Sequence, residues 1–332
     1  MNQISLYPLR FEPIYQYRLW GGRQLENLLT APLPGKDPIG EAWLLSDRDD
    51  HQSQVAEGPL KGSTIGQLMH QFPEQLMGKY AERFQRFPLL LKFLDVHEML
   101  SVQVHPSDKH SELIPPGESS KTEAWVVLDT GPKSKIYAGL KQGTTEQSLR
   151  QAIQDGHVED HLESFIPKPG NSILITAGTV HALGGDVVVF EIQQNSDVTF
   201  RLYDWNHIDP KTGKPRELQV DQALTCIDFS EGAVSPVMPV VEEVKPALRE
   251  RILHCDYFIV CRLHGELQFK VGKSDVPRIL VCIAGGGHIE YNANRYPINK
   301  GDVILLPAIL GECSCYPNTT ITLLEISIPE GA

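Results

Sequence analysis

From Leu100 to His105 the chain alternates strictly: Leu100, Val102 and Val104 are apolar, while Ser101, Gln103 and His105 are polar. Period two is the repeat of a β-strand, so Ser101, Gln103 and His105 share one face and the apolar row takes the other. Short apolar runs recur around this segment: PLLLKFLDV before it, then TEAWVVLD, KIYAGL, SILITAGTVHAL, DVVVFEIQQ and VTFRLYDW. Gly, Pro, Asn and Asp punctuate them, which is the pattern of a mainly β chain.

Two stretches break that pattern. Ile65, Leu68, Met69, Phe72 and Leu76 recur at helical spacing within residues 64–84, and Ser63 or Thr64 can cap the start. TEQSLRQAIQDG and VEDHLESF predict a small helical insertion over residues 144–165, capped by Thr144 or Thr145 and punctuated by Gly156. Residues 209–250 read as loop and include a Pro- and Glu-rich stretch from Val234 to Ala247. Beyond it, YFIVCRLHG, RILVCIAGGGHIEY, DVILLP and TTITLLEIS predict a second sandwich or barrel.

A chain of 332 residues suits about two domains. We expect residues 1–240 to form one and residues 241–332 the other. KPGNSILITAGTVHAL and NKGDVILLPAILGECS share a pattern of turn, Gly, apolar strand, then Ala or Pro. His181 in the first has no counterpart His in the second. The echo predicts two barrels of one type, with a metal only in the first.

Net charge is −12, which disfavours nucleic acid and anionic membrane as partners. No apolar run reaches about 18 residues, so no membrane span is expected. The N-terminal MNQISLYPLRFEP lacks a charged start followed by an apolar run, so no secretion signal is expected. All six cysteines lie in the last third, and none forms a C-x-x-C pair. They read as reduced and mostly buried, and the expected location is the cytoplasm.

Four residues stand out as metal ligands. Gln103 and His105 share a strand face, Glu123 opens the next apolar segment, and His181 follows an Ala-Gly-Thr turn. Two imidazoles, one carboxylate and one amide oxygen suit a borderline divalent ion such as Zn²⁺. A single carboxylate leaves the site net positive, so the ion stays strongly Lewis acidic. The blander reading of a Q-x-H pair is a hydrogen-bonded strand edge.

At these residues the chain resembles a known family. YRLWGG, IGEAWLLS, PLLLKFLD, SVQVHPSDKH, KTEAWVVL, PGNSILITAGTVHAL and FEIQQNSDVTFRLYDW occur in that order. Together they resemble the type I mannose-6-phosphate isomerases, in their short bacterial form, over about residues 7–225 and more loosely beyond. The resemblance implies a mainly β cupin fold of two jelly-roll barrels, with one zinc held by Gln103, His105, Glu123 and His181. It further implies catalytic roles for Arg201, Lys121 and Glu191. Substrate contacts fall on Ser101, against phosphate, and on Lys92, Asp197 and Trp20. Two departures affect the phosphate end: Ser120 replaces a Gly before Lys121, and His207 stands near a lysine of longer members.

The implied partner is a small sugar phosphate, and the expected assembly a monomer or weak homodimer. The implied reaction moves a proton between neighbouring carbons through an enediol, whose developing charge needs a metal or fixed cation. Glu191, Lys121 and a metal-bound water are all candidate bases. Structural readings stand beside these: Arg201 as an ion-pair partner of Asp197, the lysines as solvated, and Trp20 as core. Glu191 is costly to bury unpaired and so requires a partner. Rival functions are an isomerase of a non-phosphorylated hexose, a cupin sugar-binding or regulatory module, and an iron-dependent oxygenase.

Overall fold

The computed structural model describes residues 5–331. The outermost residues of the two expected domains, and the first four of the N-terminal segment, lie outside that range. The fold is mainly β with few helices. A six-stranded antiparallel sheet runs in the order Ile14–Gly22, Ile39–Leu45, Leu89–Val96, Val187–Gln194, Glu123–Thr130, Ser172–Ile175. A five-stranded sheet follows the order Phe200–Tyr203, Val102–Val104, His181–Gly184, Lys135–Leu140, Leu162–Phe165. An eight-stranded sheet occupies the C-terminal part, from Val240–Glu243 to Glu312–Ser327.

The central strands of the first sheet are covered on both faces, which explains their near-continuous apolar runs. Phe93, Ala124, Val126, Phe190 and Ile192 face one core, shared with Leu9, Phe11, Ile252, Leu253 and Ile326. That core therefore joins the N-terminal segment to the C-terminal sheet, and Leu9 also bridges Leu305. The alternate residues Leu94, Val96, Trp125, Val127, Val187 and Val189 face the five-stranded sheet, meeting Ile136, Ala138 and Leu183. Continued along the same strands by period two, this inner face reaches Lys92, Glu123, Glu191 and Gln193. All four are buried. One interior is thus apolar at one end and charged at the other.

The helical expectation over 64–84 holds in part. Thr64 caps Ile65–Gln71 by accepting from Gln67 N, while Gln67 Oε1 accepts from Thr64 N. Pro73 then interrupts the run, because proline disfavours helix at the residue before it; a second helix, Pro73–Met77, and a 3₁₀ turn follow. Over 144–165, only Glu146–Asp155 is α-helix; Gly156, at φ +77°, ends it. The expected helix over VEDHLESF is instead a 3₁₀ turn and the strand Leu162–Phe165, which pairs with Lys135–Leu140. The expected loop at 209–250 contains a helix, Val220–Cys226, with Ala223, Leu224 and Cys226 buried. No helix among the described residues is long and apolar enough to cross a membrane.

Candidate active site and metal centre

Three strands of the smaller sheet align one row. His181 lies opposite Gln103, and Gln103 opposite Arg201. Directly opposed residues point to the same face, so these side chains enter the interior in a line. The larger sheet supplies a second row, with Trp43 opposite Lys92, Lys92 opposite Glu191, and Glu191 opposite Trp125. Glu123 pairs with Gln193 one step further along.

Where the rows converge, His105, Glu123 and His181 gather, all buried, with ligand atoms within 4.8 Å of one another. His105 Nε2 stands 3.2 Å from Glu123 Oε2, and His181 Nε2 stands 3.4 Å from Glu123 Oε1. The other ring nitrogens are committed elsewhere: His105 Nδ1 donates to Val198 O at 2.8 Å and His181 Nδ1 to Thr179 O at 2.9 Å. Those bonds fix the tautomer in which both Nε2 lone pairs face the carboxylate. Burial and the nearby Lys121 charge push His105 down to about 3, and burial pushes His181 down, so both rings stay neutral.

This cluster fits a divalent ion. His105 Nε2 and Glu123 Oε1 are buried without a hydrogen-bond partner, an arrangement costly in the absence of a ligand. Gln103 stands beside this group: its amide lies 3.2 Å from His181 Nε2, and Ser101 Oγ donates to Gln103 Oε1 at 3.2 Å. Half a turn of the amide would bring its oxygen to the imidazole side.

A cavity of about 330 Å³ opens beside the cluster. Gln103, Lys92, Lys121, Glu191, Arg201, Asp197 and Trp20 line it. Lys92 Nζ is 3.3 Å from Glu191 Oε1, 3.7 Å from Asp197 Oδ1, and 5.0 Å from the Trp43 ring centre. Burial opposes its charge, but Glu191, Glu41 and Asp197 outweigh burial and hold Lys92 above the usual lysine range. Burial and the nearby Glu123 raise Glu191, which also accepts from Trp125 Nε1 at 2.9 Å. Lys121 Nζ is 3.0 Å from Glu123 Oε2; burial works against the Glu123 charge, but Lys121 and His105 hold its carboxyl well down.

Residues 9–124 match a family model described as phosphomannose isomerase type I, catalytic domain. The mannose-6-phosphate isomerase ManA of Bacillus subtilis is 35% identical over 315 residues, covering 93% of this chain and 96% of its own length. The chain belongs to the type I mannose-6-phosphate isomerase family. A mannose-6-phosphate isomerase of Streptococcus mutans is 31% identical over 303 residues, 90% of this chain and 92% of its own. The crystal structure of the mannose 6-phosphate isomerase from Bacillus subtilis superposes with a TM-score of 0.88 at 30% identity, covering 97% of this chain and 99% of that one. As a type I mannose-6-phosphate isomerase family member the chain is an enzyme, and the cavity is its candidate active site.

The structure gathers all but one of the residues singled out from the sequence around this cavity and its metal group. The exception is Ser101, which is fully buried and bonded to Gln103, and does not line the cavity. Trp20 is both wall and core: it lines the cavity yet is only 1% exposed. Gly40 allows this, since a Cβ there would lie 2.5 Å from Arg18 Cβ and 2.6 Å from the Trp20 ring. Asp197 pairs with Lys92; no ion pair joins it to Arg201 among the described residues.

Sequence reasoning missed Arg18, Glu41, Asp209 and Arg216, which also line the cavity. Arg18 and Glu41 sat inside quoted motifs and form a bidentate pair, at 2.9 and 3.1 Å. Burial opposes the charge of Glu41, but Lys92 and Arg18 outweigh it and bring its carboxyl to about 2. Arg216 lies in a stretch read as loop, and nothing in its local pattern pointed to the cavity.

Proposed function

We propose that this chain interconverts mannose 6-phosphate and fructose 6-phosphate, with one zinc ion held by Gln103, His105, Glu123 and His181. The buried His105–Glu123–His181 group, opening on a cavity rich in cations, carries the reading. When bound, the ion supplies Lewis acidity toward the sugar oxygens.

The chain's own residues would do the rest. Glu191 takes the proton from C2 of the aldose and returns it to C1, and the hydroxyl proton moves from O2 to O1. A buried carboxyl whose affinity for protons is raised is suited to that work. Lys92 holds Glu191 in place at 3.3 Å. Arg201 and Lys121 add positive charge where the enediol becomes anionic. Arg201 is free to do so, because its buried Nε has no partner and no carboxylate lies within ion-pair distance among the described residues. Asp197 and Trp20 shape the sugar site, and Ser101 orients Gln103.

We further assign the chain to two cupin-type barrels, residues 1–240 bearing the metal and residues 241–332 metal-free. The six cysteines are unpaired, which suits a reducing cytoplasm. Metal analysis of the purified protein paired with an isomerase assay tests the function. Stoichiometric zinc with turnover of mannose 6-phosphate supports it. Oxygen consumption dependent on ferrous iron, or sugar binding without turnover, would replace it.

A further inference from the structure

The strand Glu123–Thr130 pairs with Val187–Gln194, and the ladder ends where Gln193 stands opposite Glu123. Lys121 lies past that end, in a stretch that belongs to no strand. Even so, Ser120, Lys121 and Thr122 are all buried. A buried segment outside a sheet must find partners for its peptide groups elsewhere.

Gln194 supplies them. Its own N–H donates to Thr122 O at 3.2 Å, as one more ladder bond would. The reciprocal bond is made by the side chain: Thr122 N donates to Gln194 Oε1 at 2.8 Å. The other end of the same amide, Nε2, donates to Ser120 Oγ at 3.2 Å. The way this amide is turned is settled by Thr122 N, which can only donate. One planar group thus ties the residues on either side of Lys121. Neighbouring bonds close the segment: Lys121 N donates to Pro106 O at 3.2 Å, Ser196 Oγ to Ser119 O at 2.8 Å, and Ala177 N to Thr122 Oγ1 at 3.2 Å.

Ser120 stands where the family resemblance leads to an expected Gly. Gly there would leave Gln194 Nε2 without this acceptor and the backbone before Lys121 freer. Ser120 lies outside the left-handed region, so its hydroxyl comes without backbone strain. In this chain the departure adds a tie.

We propose that Gln194 is a positioning residue for the reaction: by clamping Ser120 and Thr122 it fixes where Lys121 leaves the backbone. Lys121 Nζ is thereby held in the cavity, 3.0 Å from Glu123 Oε2. Gln194 does not itself line that cavity, so it acts through the residues it holds. The assignment rests on the catalytic role proposed above for Lys121.

The test uses the metal-loaded enzyme and its Gln194→Met, Gln194→Glu, Ser120→Gly and Lys121→Met variants. Displacing a reacting group by about 1 Å can cost about 100-fold in rate, so Gln194→Met, which keeps the length but not the bonds, is expected to lower kcat about 10- to 100-fold. KM for mannose 6-phosphate and the bound metal should stay close to those of the unmutated enzyme. Gln194→Glu keeps an acceptor for Thr122 N and should recover most of the lost kcat. Placed in the Lys121→Met background, Gln194→Met should change the residual rate little, because the group it positions is already gone. An unchanged kcat per folded molecule in Gln194→Met, a loss explained by missing metal, or a loss undiminished in the Lys121→Met background overturns the assignment. Should Gln194→Met fail to fold, Ser120→Gly removes a single bond at the same place. It should lower kcat in the same direction by a smaller factor, and an unchanged kcat there also overturns the clamp. Failure of the role given to Lys121 looks different: Lys121→Met would itself keep full turnover.

Discussion

The interior between the first two sheets and the interior of the C-terminal sheet are built by the same antiparallel pairing, yet they are filled differently. The first buries Lys92, Lys121, Glu123, Glu191, Gln193, His105 and His181. The second is packed with Leu263, Phe269, Leu280, Ile289, Ile304 and Leu323, together with Cys261, Cys282, Cys313 and Cys315. After residue 240, Glu325 is the one buried charged residue among those described, and Arg249 meets it at 2.6 Å. Buried charge costs stability even when paired. A chain that keeps nearly all of it in one interior has largely separated the part suited to chemistry from the part that holds the fold.

That contrast can be broken in order of expected effect. His181→Ala should abolish both bound metal and turnover, measured by metal analysis and isomerase assay. Arg201→Ala should keep the metal and lower kcat about 10²- to 10³-fold, as for loss of one charge-stabilising donor. If turnover survives, the charged interior is not serving the reaction through Arg201.

Lys92→Met should destabilise the fold by about 3–5 kcal/mol, because Glu191 is left buried and unpaired. The double variant Lys92→Met/Glu191→Leu should recover most of that stability while remaining inactive. Denaturant unfolding checks both; a double variant no more stable than the single would mean the pair holds the fold. In the other interior the signs reverse. Leu280→Ala, at a fully buried site, should cost about 2–5 kcal/mol and leave kcat per folded molecule unchanged.

The smallest effect is a pH slope. Glu41 drops from an ordinary 4.5 to about 2 in the fold. Between those values the unfolded chain binds the proton more readily, so stability is full above pH 4.5 and declines as pH falls toward 2. Glu41→Gln should flatten that part of the stability profile. An unchanged acid limb would show that Arg18 and Lys92 do not hold this carboxylate.

The mainly β fold was legible because period two and turn residues act locally, within one strand. The buried group that could hold a metal was legible for another reason: the imidazoles of His105 and His181 and the carboxylate of Glu123 stand out against apolar strands. What could not be read was whatever depends on return paths of the chain. Pro73 and Gly156 shortened helices whose periodicity ran on. The Val220–Cys226 helix was hidden in a polar stretch, although Val220, Ala223, Leu224 and Ile227 already lay at helical spacing. Arg216 lines the cavity on a segment that Gln219 ties back to Arg201 and that Asp204 holds, contacts no local pattern encodes. Ser101 shows the converse: alternation gave its face correctly, but not that Gln103 would cover it.

The line His181–Gln103–Arg201 is drawn across neighbouring strands rather than along one. Its length is therefore set by peptide hydrogen bonding, which is the same whatever side chains are present. Side-chain replacement can remove a group from this ruler but cannot stretch it. A slip of one residue in the Val102–Val104 strand, by contrast, would turn Gln103 to the opposite face and erase the middle mark. Evolution on this scaffold can exchange what stands at each graduation far more easily than it can fit a substrate of different length.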